Sequence, residues 1–356
     1  MREKDRSGVR EAHATRRPHE ERCLQFVLQL ADLAAHGGLG DVELPGRTAD
    51  VPLFGHGDEV FDLGEAHAAS VTGAAAPSIP GARDPNGIGR RLPALPSVRA
   101  MSVEILGPRD VAFMRKAGAA AAATLAHVAG KLRAGISTAE IDRWVRDHTA
   151  SVGGKPSQLG YKGFPAAVCT SRNDVVCHGI PSQHELLRPG DIINVDVTTC
   201  LDGFHGDTSA TFAIGPLSAE ARHVVDVARR CRDAGIAAVR EGVRLGDVGA
   251  AIEELAEREG CSVVREFGGH GIGRKMHMDP HVSHVGPRGS GIRLRAGMAF
   301  TVEPMINLGH AEIRVLDDEW TVVTADGSLS AQFEHTVLVN RDGCEILTRA
   351  SPCGVP

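Results

Sequence analysis

From residue 108 onward the apolar positions recur with two different periods, and the chain divides into elements by them. Residues 108–132 open on Pro108, tolerated in the first turn of a helix, and continue alanine-rich, which predicts a helix. Ser137 and Glu140 have the spacing of a capping box, and Ile141, Trp144 and Val145 fall on one face of the helix that would follow to residue 152. A second helical pair is predicted over 219–240 and 246–259, with Gly242 between them. Gly135-Ile136 followed by Glu140-Ile141 is matched by Gly242-Val243 followed by Asp247-Val248. The helix pair therefore reads as one half of a duplication of roughly 110 residues. Between and after the pairs the pattern becomes that of strands, over 191–199, 208–214, 298–308, 319–324 and 332–340. Strand runs alternating with helix pairs predict an α+β fold rather than a parallel, doubly wound sheet.

The first hundred residues break this pattern. Leu24, Phe26, Val27, Leu30 and Leu33 line one face of a short helix over 20–36. The rest is polar or Gly/Pro-rich, as over 74–96, with too little apolar content to offset chain entropy. Residues 1–100 are thus expected to form a low-order, disordered extension in which Pro93-Ala94-Leu95-Pro96 reads as linker, and residues 101–356 a folded domain. The change of character at Met101 leads to the expectation that translation starts there.

Composition narrows the classes. A net charge of -6 supplies no basic footprint for nucleic acid. No run of about 18 apolar residues predicts a membrane span, and the charged N-terminus has no apolar segment of the secretory kind. The 8 cysteines contain no CxxC pair, which argues against a zinc ribbon and for reduced thiols in a cytoplasm.

The candidate chemistry lies in acids placed where acids are unexpected. Asp196 is surrounded by Ile192, Ile193, Val195 and Val197 in a predicted strand, and a buried aspartate must be paired, hydrogen-bonded or metal-bound. If Asp202-Gly203 forms a two-residue hairpin loop, Asp196 faces residue 209, and Asp207 lies two positions away on the same face; a turn shifted by one residue along the chain would set the two aspartates directly opposite each other, and both registers aim the carboxylates to one side. Glu303 follows Phe300-Thr301-Val302 and Glu334 precedes Thr336-Val337-Leu338-Val339, so both are read as acids inside apolar strands. Four converging carboxylates repel unless protons or cations intervene, and two divalent cations balance their charge. His270, in Gly268-Gly269-His270-Gly271-Ile272-Gly273, adds an imidazole; oxygen ligands with one imidazole suit Mn, Fe, Co or Zn. The glycine spacing there is not that of a dinucleotide site.

The segments GYKGFPAAVCTSRNDVVCHGIP, NVDVTTCLDGFHGDTSATF, GGHGIGRKMHMDP, FTVEPM and SLSAQFEHTVLV together resemble the type I methionine aminopeptidases of bacteria. The resemblance implies a pita-bread fold, two pseudo-symmetric halves around a curved antiparallel sheet. It implies removal of the N-terminal methionine from nascent proteins by two-metal hydrolysis, with a small second residue favoured. In this resemblance Asp207 and Glu334 bridge two divalent ions, Asp196 completes one site, and His270 and Glu303 complete the other. Glu303 would accept a proton from the attacking water, His277 would polarise the scissile carbonyl, and His178 would position the substrate. Tyr161, Phe164, Cys169, Met276 and Trp320 match positions lining the methionine pocket. Gln158 stands where some relatives carry a cysteine, and Met276 where many carry an aromatic. The implied setting is a cytoplasmic monomer acting on nascent N-termini, with the ribosome as a partner and no membrane or nucleic acid. Two rivals share the fold: X-Pro aminopeptidases and dipeptidases, which usually have a large folded N-terminal domain, and catalytically inactive binding modules, which generally lose the metal ligands.

Overall fold

In the computed structural model, residues 103–349 are described; the expectations for residues 1–100, including the short helix over 20–36, lie outside the described residues. Among the described residues four α-helices form, α1 (Pro108–Ala129), α2 (Thr138–Ser151), α3 (Ala219–Ala238) and α4 (Leu245–Arg258). The strands are β1 (Lys155–Pro156), β2 (Cys169–Arg172), β3 (Val175–Cys177), β4 (Ile192–Leu201), β5 (Phe204–Ala213), β6 (Ser262–Val263), β7 (Gly269–Gly271) and β8 (Met278–Val282), then β9 (Ala299–Val302), β10 (Met305–Asn307), β11 (Ile313–Val315), β12 (Val322–Thr324), β13 (Ser330–Gln332), β14 (His335–Val339) and β15 (Cys344–Ile346). Among the described residues all strand pairs are antiparallel: β1, β2 and β5 on β4; β13-β10-β6; β11-β12-β3; and β15-β14-β9-β7-β8. No helix is long and apolar enough to cross a membrane among these residues.

The helix starts follow from local chemistry. Pro108 opens α1. Glu140 accepts the Ser137 amide at 2.9 Å while the Ser137 hydroxyl accepts the Glu140 amide at 3.3 Å, the reciprocal box read from the sequence. Asp202-Gly203 turns with both residues at positive φ, 52° and 80°, so β4 and β5 form a tight hairpin. Its register puts Asp196 opposite Ser209 and Thr198 opposite Asp207, as the turn requires.

The duplication has a definite measure. A shift of 107 positions carries the bridge Ser137↔Leu186 onto Arg244↔Arg293. The same shift carries the reciprocal bonds of Gly135 and Ile136 with Leu187 onto those of Gly242 and Val243 with Leu294, all at 2.7–2.9 Å. Gly135 and Gly242 have φ of 88° and 89°, and Gly190 and Gly297 of 95° and 90°. Carried forward, the shift lays Asp196 on Glu303. Helices α1 and α2 bury their apolar faces against β4, and α3 and α4 pack against β9 and β10. The halves meet where β5 runs beside β13 and β14: the Glu334 amide donates to the Ser209 carbonyl (3.0 Å), and the Thr208 hydroxyl to the Glu334 carbonyl (3.0 Å).

Two expectations need correction. The strands predicted over 298–308 and 332–340 each divide in two, at Glu303-Pro304 and at Phe333-Glu334. Pro304 has no amide to give a ladder, and here each chain passes from the five-stranded sheet to the three-stranded one. The two glutamates therefore lie at strand breaks rather than within strands. Register is kept across the break, with Val302 opposite His335 and Met305 opposite Gln332, which sets Glu303 opposite Glu334. The strand predicted over 319–324 shortens to Val322–Thr324, because Asp318 captures the amides of Trp320 (2.9 Å) and Thr321 (2.7 Å) in a turn.

Helix α1 approaches β5 closely enough that a Cβ on Gly206 would sit 2.5 Å from the Ala117 carbonyl carbon and the Gly118 nitrogen, both backbone. Gly206→Ala is expected to cost about 1–3 kcal/mol through overpacking, read as a lower urea midpoint with unchanged slope. Wild-type stability in that variant would contradict the packing described.

Candidate metal centre

The β4–β5 hairpin brings Asp196 and Asp207 to one face, and the strand breaks bring Glu303 and Glu334 towards them across the junction of the halves. Ligand atoms of Asp207, His270 and Glu334 all lie within 4.8 Å of one another. The Nε2 atom of His270 is 3.5 Å from Glu303 Oε1 and 3.6 Å from Asp207 Oδ2. Asp196 lies within electrostatic reach of Asp207, Glu303 and Glu334. All five residues proposed from the sequence as ligands are thus gathered at one place.

Hydroxyls fix the orientation of these acids. Thr198 donates to Asp207 Oδ1 at 2.7 Å, and Thr301 to Glu303 Oε1 at 2.6 Å, while the Thr301 oxygen accepts the His270 amide at 2.9 Å. Thr336 donates to the Asp207 carbonyl at 2.8 Å, Gln332 Nε2 donates to Glu303 Oε2 at 3.3 Å, and the Glu303 amide donates to His284 Nε2 at 3.2 Å. Sequence reading missed this supporting set. Thr198 and Thr301 were findable, since each lies two positions from an acid along a strand and so shares its face. His284 carries no such signal.

The electrostatics are those of a crowded anionic site. Burial, reinforced by Asp207, lifts the Glu303 carboxyl to about 8. Burial also lifts Asp207 to about 7. Asp196 and Glu334 are pushed well above the carboxylate range by burial first and by the neighbouring acids second. Burial lowers His270 to about 4. The Gly271 carbonyl lies 3.2 Å from His270 Nδ1 and can only accept a hydrogen, so the Nε2 lone pair faces carboxylate oxygens. Asp196 Oδ1 and Glu334 Oε1 are buried with no hydrogen-bond partner. An acceptor facing acceptors, with two orphaned carboxylate oxygens beside it, is the arrangement a divalent cation satisfies.

Beside the acids lies a histidine and aromatic wall. The His277 ring is 4.1 Å from His270 and 5.0 Å from Tyr161, centroid to centroid. Phe164 meets Trp320 edge to face at 5.1 Å, and His178 meets Trp320 at 6.2 Å and Phe267 at 5.4 Å. Cys169 packs in one apolar cluster with Phe164, Ala166, Ile180 and Trp320, and stands opposite Asp196 in the β2–β4 ladder. Burial, then Asp196, drives its thiol well up, so it stays protonated. Met276 is buried outside that cluster. His178 has a φ of 56°, and the next residue, Gly179, leaves no room for a Cβ against the Thr170 carbonyl. Strain of this kind in a non-glycine residue recurs at functional sites. Phe267 joins this wall without having been picked out from the sequence.

Comparison with known proteins adds to the geometry. The model of metallopeptidase family M24 matches residues 112–341. Methionine aminopeptidase A of Synechocystis sp. is 50% identical over 247 residues, covering 69% of this chain and 98% of that protein. Methionine aminopeptidase of Escherichia coli is 45% identical over 257 residues, covering 72% of this chain and 97% of that protein. The crystal structure of methionine aminopeptidase from Rickettsia prowazekii superposes with a TM-score of 0.69 at 43% identity, covering 70% of this chain and 100% of the other. The Xaa-Pro dipeptidase from Bacillus anthracis shares the fold alone, at a TM-score of 0.56 and 20% identity over 69% of this chain and 62% of the other.

Metal removal has a signed consequence for stability. Asp207 and Glu303 rise in the folded protein from ordinary values of 3.8 and 4.5 to about 7 and about 8. Acids raised on folding contribute stability below their unfolded values and lose it as pH climbs through the folded ones. The buried histidines His178, His270, His277, His284 and His335, lowered from 6.5, pull the other way up to that value, so the sign of the acids shows above it. The metal-stripped protein is therefore expected to melt at steadily lower temperature from pH 7 to above pH 8. Adding a divalent cation should reverse the loss and release protons at pH 7, measurable by calorimetry in buffers of different ionisation enthalpy. A metal-stripped melting temperature that is flat or rising over that range would contradict this electrostatic reading.

Proposed function

The chain belongs to metallopeptidase family M24, and on that premise we propose that it removes methionine from the N-termini of polypeptides as a metal-dependent aminopeptidase. The observation that carries the reading is the placement of the acid cluster against the Phe164–Trp320 wall. This puts hydrolytic chemistry next to a surface suited to one apolar side chain. Two relatives of nearly full-length coverage, at 45% and 50% identity, support methionine as that side chain.

Asp196, Asp207, His270, Glu303 and Glu334 would hold two divalent cations, with Asp207 and Glu334 shared between them. Manganese, iron, cobalt and zinc all suit this donor set. When bound, such a pair lowers the pKa of water and polarises a carbonyl. Glu303 is the proton acceptor: Thr301 steadies one of its oxygens at 2.6 Å, and Gln332 holds the other more loosely at 3.3 Å. His277, exposed at the rim and backed by Tyr161, is placed to donate to the oxygen on which charge develops. His178, fixed by its backbone and packed on Phe267, orients the scissile amide. Phe164, Cys169 and Trp320 receive the thioether side chain, which aromatic edges and a protonated thiol contact favourably. Tyr161 and Met276 complete the pocket. The same reading assigns residues 101–356 as the catalytic domain of a cytoplasmic monomer that acts on nascent chains with a small second residue, the ribosome being where those chains emerge.

Hydrolysis of Met-Ala-Ser by metal-loaded protein, compared with peptides of the Ala-Pro type, tests the assignment. Met-Ala-Ser is expected to be cleaved and Ala-Pro peptides spared; preferential cleavage before proline would overturn it. His277→Ala should lower kcat by about 100- to 1,000-fold with a smaller change in KM. Asp207→Asn should abolish turnover while leaving the fold intact by circular dichroism.

A further inference from the structure

Gln158 is buried at 6% exposure, and its side chain bonds to main chain. Strands β1 and β2 lie end to end along one edge of β4. The first pairs with Thr199 and Cys200, the second with residues from Ile193 to Asp196. Between them the edge at Val197 and Thr198 has no facing strand residue. The Ser157 amide still reaches the Thr198 carbonyl at 2.9 Å, after which the main chain turns off into a tight turn closed by the Tyr161 amide on the Gln158 carbonyl at 3.0 Å. At that point the Gln158 side chain continues the ladder. Its Nε2 donates to the Asp196 carbonyl at 2.8 Å and its Oε1 accepts the Thr198 amide at 3.2 Å. A carboxamide is chemically a peptide group, so it supplies the donor and acceptor that another strand residue would. The preceding residue reaches the second strand of the hairpin: the Ser157 hydroxyl lies 2.8 Å from His205 Nδ1, and His205 stands two positions before Asp207.

We infer that Gln158 is a positioning residue for the metal centre: its side-chain amide closes the gap between β1 and β2 and pins the Asp196–Thr198 stretch of β4. Asp196 projects from that stretch, and so does the Thr198 hydroxyl that orients Asp207. Loss of the amide would leave the Asp196 carbonyl and the Thr198 amide buried without partners and free the stretch to shift. The inference rests on the assignment of Asp196 as a metal ligand.

The test uses the full chain with Gln158→Leu, Gln158→Glu and Asp196→Ala, each checked for folding by circular dichroism. Two readouts are taken besides turnover, manganese affinity by titration calorimetry and hydrogen exchange at the Thr198 amide. Gln158→Leu should weaken manganese binding by about 10- to 100-fold, the range typical of groups that orient ligands, and lower kcat more than it changes KM for Met-Ala-Ser. Its Thr198 amide should exchange at least about tenfold faster, having lost its acceptor. Gln158→Glu retains an acceptor and should restore Thr198 protection, which also decides the question should the leucine variant fail to fold. Unchanged exchange or unchanged manganese affinity in folded Gln158→Leu overturns the positioning role. Full manganese binding in Asp196→Ala would instead overturn the ligand assignment, and Thr198 exchange then decides the clip alone.

Discussion

Four carboxylates facing one another away from bulk water are the constraint to which the rest of the structure answers. Two unit charges 4 Å apart repel by about 4 kcal/mol at an effective dielectric of 20. A few such pairs amount to the whole stability of an ordinary domain, about 5–15 kcal/mol. Full ionisation without compensation is therefore excluded, and protons or cations must neutralise the cluster. The raised carboxyls of Asp207 and Glu303 are the proton form of that answer. The orphaned oxygens of Asp196 and Glu334 mark where it is incomplete, because a proton shared between two acids leaves other lone pairs unmet and a cation does not.

The duplication explains how so unfavourable a cluster is held. Each half contributes a helix pair, a glycine-bounded crossing and a strand, and the 107-residue shift superimposes the acid of one strand, Asp196, on that of the other, Glu303. The partner strands then depart from symmetry. By register, Ser209 corresponds to Glu334 and Asp207 to Gln332. Each half thus supplies two acids, and the remaining position is filled by an uncharged residue. Gln332 shows why: it donates to Glu303, whereas an acid there would add a fifth negative charge against the same oxygen. Acids at both partner positions of both halves would give six and acids at neither would give two, either too much charge for two divalent cations or too few ligands to hold them.

Much of this was legible in the sequence because it rests on local rules. The capping box, the Asp-Gly turn and the two-residue strand period suffice to align Asp196 with Asp207, and the β4–β5 register agrees with the count. What could not be read depends on partners distant in the chain or on exceptions to a period. The breaks at Glu303 and Glu334 look like continuous strand because the apolar residues carry on past them; only Pro304 hints that the ladder stops. Thr336 bonded to Asp207, 129 positions away, and His284 beneath Glu303 leave no local trace. Gln158 was noticed as a departure from relatives, but a glutamine acting as a segment of strand is invisible until its two main-chain partners are seen.

The proposed methionine pocket draws on the part of the chain that escapes the duplication. In the first half the two site strands are joined by the Asp202-Gly203 turn; in the second, residues 308–329 intervene between β10 and β13. That insertion forms β11 and β12, joins β3 in a separate sheet, and delivers Trp320 to Phe164 and His178. Three of the five non-glycine residues at positive φ among the described residues are His178 itself and the sequence neighbours of Tyr161 and Trp320, Lys162 and Glu319. Such conformations persist only where surrounding structure enforces them. The symmetric framework positions the acids and could serve many peptide bonds. On the proposed reading the asymmetric insertion supplies the wall against which the substrate side chain lies, so substitutions in it should redirect specificity while metal binding stays intact.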